Sequence, residues 1–363
     1  MRILSHKIRS ENKMSTGFTT ERIQGALTAF RRFLSSESGG ALLSVYSSTA
    51  YRQEPDFELM VDGACAAIKA DGASGEPYIL PTVWPDFGTI STAALWGGKI
   101  IPASGEQRVH IHPVARAIKD LENLVCRQSF EESDFQKAVN LYQRVCERLE
   151  NGEIFVRTPD FQGLLNTLAL LIDQTELICG LYTDPELIAS VLDRITDTLI
   201  EYFRRFCEII GPSRVVGNIW PYIVLPDGQG VGITQDYMPL LSPDLYAQFE
   251  IPRLKRIADE FGGVFIHCCG AYRQHLATLQ RADFKIWGIE VWYPYMDIAE
   301  VFRALGRKLV YVPYAASTRE CPSFIEFCGY LAERKCPGCK YWFCVSDGND
   351  LTDRRRAIRE KLG

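Results

Sequence analysis

No apolar run in this 363-residue chain approaches the length needed to cross a bilayer. The longest, over residues 164–172, is interrupted by Asn166 and Thr167. An excess of positive charge is missing too: 40 Lys and Arg face 45 Asp and Glu, a formal net charge of −5. The basic face that a nucleic-acid partner requires is therefore not expected. The first residues, "MRILSHKIRSENKM", lack the apolar stretch of a secretory leader. Residues 1–18 are read as a disordered or non-native lead-in, with Met14 as an alternative start. No glycine-rich phosphate fingerprint follows an early strand; "DGQGVG" (227–232) has the glycines but opens no helix and reads as a loop. Neither an internal repeat nor a low-complexity linker divides the chain, so residues 19–363 are expected to form one domain.

Cysteine, by contrast, is plentiful, with 12 residues. In a chain with no leader this implies a reducing compartment, and a cytoplasmic location is expected. Cys65, Cys126, Cys146, Cys179, Cys207 and Cys328 fall inside apolar helical patterns, where a thiol is a small core hydrophobe. That leaves Cys268, Cys269, Cys336, Cys339 and Cys344 as the thiols of chemical interest.

The hydrophobic periodicity predicts helices over 20–35 and 56–70 and then an alternation of strand and helix. Strands are expected at 78–84, 108–112, 153–158, 214–220, 263–267, 285–292, 308–314 and 341–346. A helix from Pro113 to about 127, a long one over 184–210 and another over 242–261 lie among the helices expected between and around them. Continuous apolar strands alternating with amphipathic helices mean parallel strands covered on both faces. The fold class is α/β, and about eight units with extra helices in front predict a TIM (β/α)8 barrel with additional N-terminal helices. An open doubly wound sheet is the alternative.

One of these strands ends unusually. "GVFIHCCG" (263–270) runs from buried apolar residues into a histidine, two cysteines and a glycine. In a parallel barrel the C-terminal strand ends carry the chemistry. Residues two apart in extended chain share a face, so His267 and Cys269 can point one way while Cys268 points another. An imidazole and a thiolate are good zinc ligands, and a catalytic zinc takes three from protein. The third is sought at another strand end, and Cys344 in "YWFCVSD" suits that position. The rival pair Cys336 and Cys339 precedes that strand, at the wrong end of the barrel. His110 and His112 form the other histidine pair, with an exposed or capping role expected. Polar and aromatic groups near strand ends, namely Asp86, Asn218, Trp220, Tyr222, Asp236, Trp292 and Tyr293, suggest a moderately apolar pocket for a small-molecule substrate.

These segments together resemble the uroporphyrinogen decarboxylase (URO-D) superfamily. The likeness is carried by "DFGTISTAALWGG" (86–98), residues 182–211, "QDYMPLLSPDLYAQFEIPRLKRIADEFGGVFIHCCG" (235–270) and residues 288–312. It implies a TIM barrel. The true decarboxylases bind their tetrapyrrole without metal, through an arginine-bearing N-terminal segment and an early acidic residue. Here "ALLSVYSSTAYRQ" (41–53) offers only Arg52, although Asp86 can take the acidic position. The other branch, similar to zinc-dependent corrinoid and coenzyme M methyltransferases, uses His-x-Cys at a strand end and a later Cys. That pattern falls on His267, Cys269 and Cys344. By the same resemblance Glu290, at the next strand end, is a candidate displaceable fourth ligand. The implied activity is transfer of a methyl group between a corrinoid and a thiol or similar acceptor. The corrinoid must come on a partner protein, because the D-x-H-x-x-G ligand motif is absent from this chain. Dimers are common in the superfamily, so a homodimer is expected, although nothing in the sequence marks an interface. Decarboxylation of a tetrapyrrole or other carboxylated ring, and a non-catalytic ligand-binding role, are the alternatives.

Overall fold

The structure, a computed structural model, describes residues 13–45, 54–101, 109–150, 153–219, 222–306, 309–315, 317–334, 338–345 and 351–362. Its centre is built from β1 (Gly40–Val45), β2 (Thr82–Val83), β3 (Phe155–Thr158), β4 (Val215–Asn218), β5 (Val231–Thr234), β6 (Val264–His267), β7 (Ile286–Tyr293), β8 (Val310–Ala315) and β9 (Lys340–Val345). One run of paired strands has the order β1-β9-β8-β7-β6-β5, the other β2-β3-β4, and every pairing within them is parallel. The Asn218 side chain joins the two runs by donating to the Gly232 carbonyl at 2.9 Å. At the other seam Ser44 and Val45 face Thr82 and Trp84 across a small interior cavity. The fold is a TIM barrel, with nine parallel strands in these two runs among the described residues.

Burial follows the sequence pattern. β3, β4, β5 and β6 are buried at every position, as strands sandwiched between side chains inside the barrel and helices outside must be. The surrounding helices start where the caps predict. Asp56 accepts from the Glu58 and Leu59 amides at 2.9 and 3.0 Å, and Ser242 accepts from the Leu245 amide at 3.3 Å. Replacing Asp56 by alanine should lower stability by about 1 kcal/mol, read as a lower urea midpoint with an unchanged slope.

Several sequence expectations need correction. His110–His112 does not enter the barrel; it pairs antiparallel with Lys99–Ile101, burying only Ile111 between two exposed rings. β1 takes the missing place, and β5 is a further strand in a stretch that begins within the glycine-rich segment read as a loop. The expected helix over 242–261 is two helices, Pro243–Phe249 and Ile251–Phe261, because Pro252 has no N–H to continue the ladder. From Pro113 to residue 127 the chain forms only a 3-10 segment, Ile118–Asn123. Packed structure also starts earlier than residue 19: Met14–Ser15 pairs with Leu149–Glu150, and Thr16 and Phe18 are buried. The rest of the expected lead-in, residues 1–12, lies outside the described residues.

Candidate metal centre

β5 and β6 are paired in register so that Thr234 lies opposite His267. Two residues beyond this pair stand Asp236 on one strand exit and Cys269 on the other. The exits are tied together, since the Gln235 amide donates to the His267 carbonyl at 2.7 Å. Gly270 allows the crossing: a Cβ there would lie 2.6 Å from the Pro239 ring. Both the Cys269 amide and its thiol reach Asp236 Oδ1, at 3.1 and 3.3 Å. His267 Nε2 lies 3.6 Å from the same oxygen. One ligand atom each from Asp236, His267 and Cys269 thus falls within 4.8 Å of the others. Tetrahedral zinc with bonds of 2.0–2.3 Å separates its ligand atoms by about 3.5 Å. The imidazole, thiol and carboxylate fit that ion in chemistry and in spacing.

The other face of the imidazole is fixed by β7. Glu290, fully buried, brings its Oε2 against His267 Nδ1 and accepts from the Trp292 indole at 3.1 Å. The Tyr272 hydroxyl donates to the Glu290 carbonyl at 2.6 Å. Burial pulls the His267 pKa down, but the Glu290 charge and the bonds to Asp236, Cys269 and Glu290 outweigh it and hold it well above the ordinary value. Burial alone would raise Asp236; the His267 ring and the Cys269 amide and thiol draw it below the usual range instead. A carboxylate on one ring nitrogen presents the other nitrogen for coordination.

The sequence-derived set is therefore rearranged. His267 and Cys269 come together as expected. Asp236, expected to touch substrate, joins their donor group. Glu290 sits behind the imidazole, not among the three converging donors. Cys344, on β9 three strands from β6 in the sheet order, is not among the three donors that converge. Its thiol takes a contact from the Ser44 hydroxyl at 3.7 Å, and burial pushes it up to about 12. Cys268 points away into the core and is likewise pushed up to about 12 by burial. Cys339 is buried at the entry of β9, the end remote from His267, and Cys336 lies outside the described residues.

The expected substrate contacts divide in the same way. Trp292 is half-buried and stacks on Tyr314, centroids 5.1 Å apart, beside the centre. Tyr293 packs on Tyr330. Asn218 is fully engaged inside the barrel, accepting from Thr158 and donating to Gly232, so its amide serves the seam between strands. Tyr222 packs edge-on against Trp84 and gives its carbonyl to Arg157. Asp86 is buried and accepts from the Gly88 amide at 2.9 Å. Trp220 lies outside the described residues.

Two groups were missed by the sequence reading. Arg157, at the end of β3, donates to the Asn218, Tyr222 and Ile223 carbonyls and lies over the Trp84 ring. Asp160 is wholly buried, with Gln162 donating to one oxygen and Thr234 to the other. Burial pushes its carboxyl up to about 7 against the Gln162 bond, with Asp86 raising it further. The available signal was "RTPDFQ" (157–162), charged residues in an apolar strand's exit.

Similarity to known proteins agrees with this architecture. The family model for uroporphyrinogen decarboxylase (URO-D) matches residues 88–312. No curated protein matches the chain. Among solved structures, a methyltransferase from Methanosarcina mazei superposes with a TM-score of 0.65 at 14% identity, over 93% of this chain and 99% of that one. A protein assigned as a vitamin-B12-independent methionine synthase from Listeria monocytogenes gives a TM-score of 0.45 at 12% identity, over 96% and 94% of the two chains. With more than half its length matched by the family model, on a barrel of the kind just described, the chain belongs to the uroporphyrinogen decarboxylase (URO-D) family.

Proposed function

We propose that the protein is a zinc-dependent methyltransferase, moving a methyl group between a corrinoid carried by a partner protein and a thiol or similar small acceptor. The observation that carries this reading is the convergence of Asp236, His267 and Cys269 at paired strand exits. Metal-free decarboxylation has no need of such a donor set. When bound, zinc lowers the pKa of a coordinated thiol and keeps the acceptor sulfur anionic near neutral pH. His267 Nε2, Cys269 Sγ and Asp236 Oδ1 would hold the ion. Asp236 takes the place that the sequence reading gave to Cys344. Glu290 holds the imidazole's orientation from behind, and the Trp292–Tyr314 pair supplies an apolar wall that excludes water from the acceptor. One thiolate and one carboxylate together balance a divalent charge, which leaves an added sulfur electron-rich.

The test is metal content and turnover on the same preparation. Native protein should carry one equivalent of zinc and demethylate methylcobalamin in the presence of a thiol. Cys269→Ser and Asp236→Ala should lose both. Metal-free native protein that consumes uroporphyrinogen would establish the decarboxylase reading instead, and ligand binding without turnover would establish a binding protein. Zinc affinity should also rise with pH. The His267 proton must leave before Nε2 can bind the ion, so affinity should climb by up to about tenfold per pH unit until the raised His267 pKa is passed. A pH-independent affinity, by competition with a chromophoric chelator, would remove His267 from the ligand set.

A further inference from the structure

A cavity of about 1280 Å³ opens at the end of the barrel opposite the metal centre. Its walls include the first residues of the strands: Ile286 and Trp287 open β7, Lys340 opens β9, and Leu309 stands just before β8. Trp287 and Glu290 belong to one strand, three residues and about 10 Å apart, with the barrel's interior layers between the two ends. This floor cavity is separate from the chemistry proposed for the mouth.

Three features of this cavity bear on what it could hold. Lys340 is only 3% exposed, yet among the described residues its ammonium has one acceptor, the Leu34 carbonyl at 2.9 Å. An ammonium has three protons to give, and Leu34 belongs to the same cavity wall. Burial lowers the Lys340 pKa while Glu37 raises it, as befits a cation short of partners.

The second feature is an indole held in place. Trp287 donates to the Gly262 carbonyl at 3.1 Å. Its edge fills the space over Gly230 and Gly263, where a Cβ would come within 2.7 and 2.8 Å of the ring and where φ is +80° and +127°. Only glycine meets both demands, so the backbone is shaped around the ring. Half-exposed, Trp287 forms a rigid wall continued by Phe284, Leu279 and Leu305.

The third is the charge left over. Arg31 is matched by Asp227 in a bidentate pair at 2.5 and 2.8 Å. Lys285, its Nζ 3.3 Å from the Trp287 ring centroid, and Lys340 then outnumber Glu37.

We propose that this cavity binds a small amphipathic monoanion, its planar apolar body along Trp287 and Phe284 and its acidic head on Lys340. The single buried ammonium matches a single negative charge, and the apolar wall selects against fully hydrated ions such as phosphate. The inference does not depend on the metal reading.

The test uses 8-anilinonaphthalene-1-sulfonate with the full chain at neutral pH, followed by its own emission and by energy transfer from tryptophan. Saturable binding of one equivalent is expected, weakened by about tenfold or more in Lys340→Met and in Trp287→Leu. N-phenyl-1-naphthylamine, which lacks the sulfonate, should bind native protein and Lys340→Met alike. Cys269→Ser should bind the sulfonate as native protein does, which separates floor from mouth. Each variant is first shown to unfold cooperatively in urea, and Lys340→Gln replaces Lys340→Met if the latter does not fold. No saturable binding, equal sulfonate affinity in the Lys340 variants, or loss of binding in Cys269→Ser would each overturn the proposal.

Discussion

Alanine at position 267 should leave the protein without bound zinc, without methyl transfer and less stable by about 3–5 kcal/mol. The stability loss comes from Glu290. Its carboxylate has no exposed surface and faces His267 Nδ1, and among the described residues its other donor is the Trp292 indole. Without the imidazole a buried anion keeps a single neutral donor. In metal-free native protein the Glu290 charge and the bonds to Asp236 and Cys269 hold the His267 pKa well above the ordinary value, which favours the protonated ring. The favourable charge of that ring is present below the unfolded value near 6.5 and is lost as pH rises through the folded one. The cost of His267→Ala should accordingly shrink at high pH. A double variant, His267→Ala with Glu290→Gln, should recover most of the stability and none of the zinc. Urea midpoints at pH 6 and pH 9, with bound zinc measured on each sample, decide the matter. A single variant as stable as native protein would mean that Glu290 does not lean on His267, and one that kept its zinc would end the metal assignment.

How much of this was legible beforehand follows from the range of each signal. His267 and Cys269 could be read because they stand two residues apart at the exit of one strand, a local relation that the sequence records directly. The barrel was legible from the long alternation, although His110–His112 took the place of Gly40–Val45 in the strand count. That exchange has a local cause: "VHIHP" alternates like a strand, whereas "GALLSV" carries two small residues and a serine within six. Asp236 as a metal donor was not legible. Its place depends on the register between β5 and β6, which pairs Thr234 with His267 and which no local pattern records. Cys344 stays outside the converging set, and the complementary reason applies: its strand was legible, but which strand exits bring their donors together is a property of the closed barrel. Glu290 was found and its role was not, because the choice between touching an ion and touching the ring that touches it is set by distances of a few ångströms.

Asp160 gives the second large effect, with the opposite sign. Its side chain is fully buried at the exit of β3 and faces Gln162 and Thr234. Burial lifts its carboxyl from 3.8 to about 7, despite the Gln162 bond and with the help of the Asp86 charge. The folded state therefore binds this proton more tightly than the unfolded chain does. Stability from this group is full below about pH 4, declines as pH rises toward 7 and is lowest above that. Asparagine has the same shape as the neutral acid, keeps an oxygen to accept from Gln162, can donate its NH2 to the Thr234 hydroxyl oxygen, and cannot ionise. In chelator-treated protein Asp160→Asn should match native stability near pH 4 and exceed it at pH 8, by an amount on the order of a few kcal/mol. Urea unfolding of both proteins across that range reads the difference directly. A gain that is the same at both ends would make Asp160 a packing defect instead of a titrating acid. A loss at pH 8 would show that the ionised carboxylate has a cationic partner in solution, and would place it with the anionic ligands of the centre it borders.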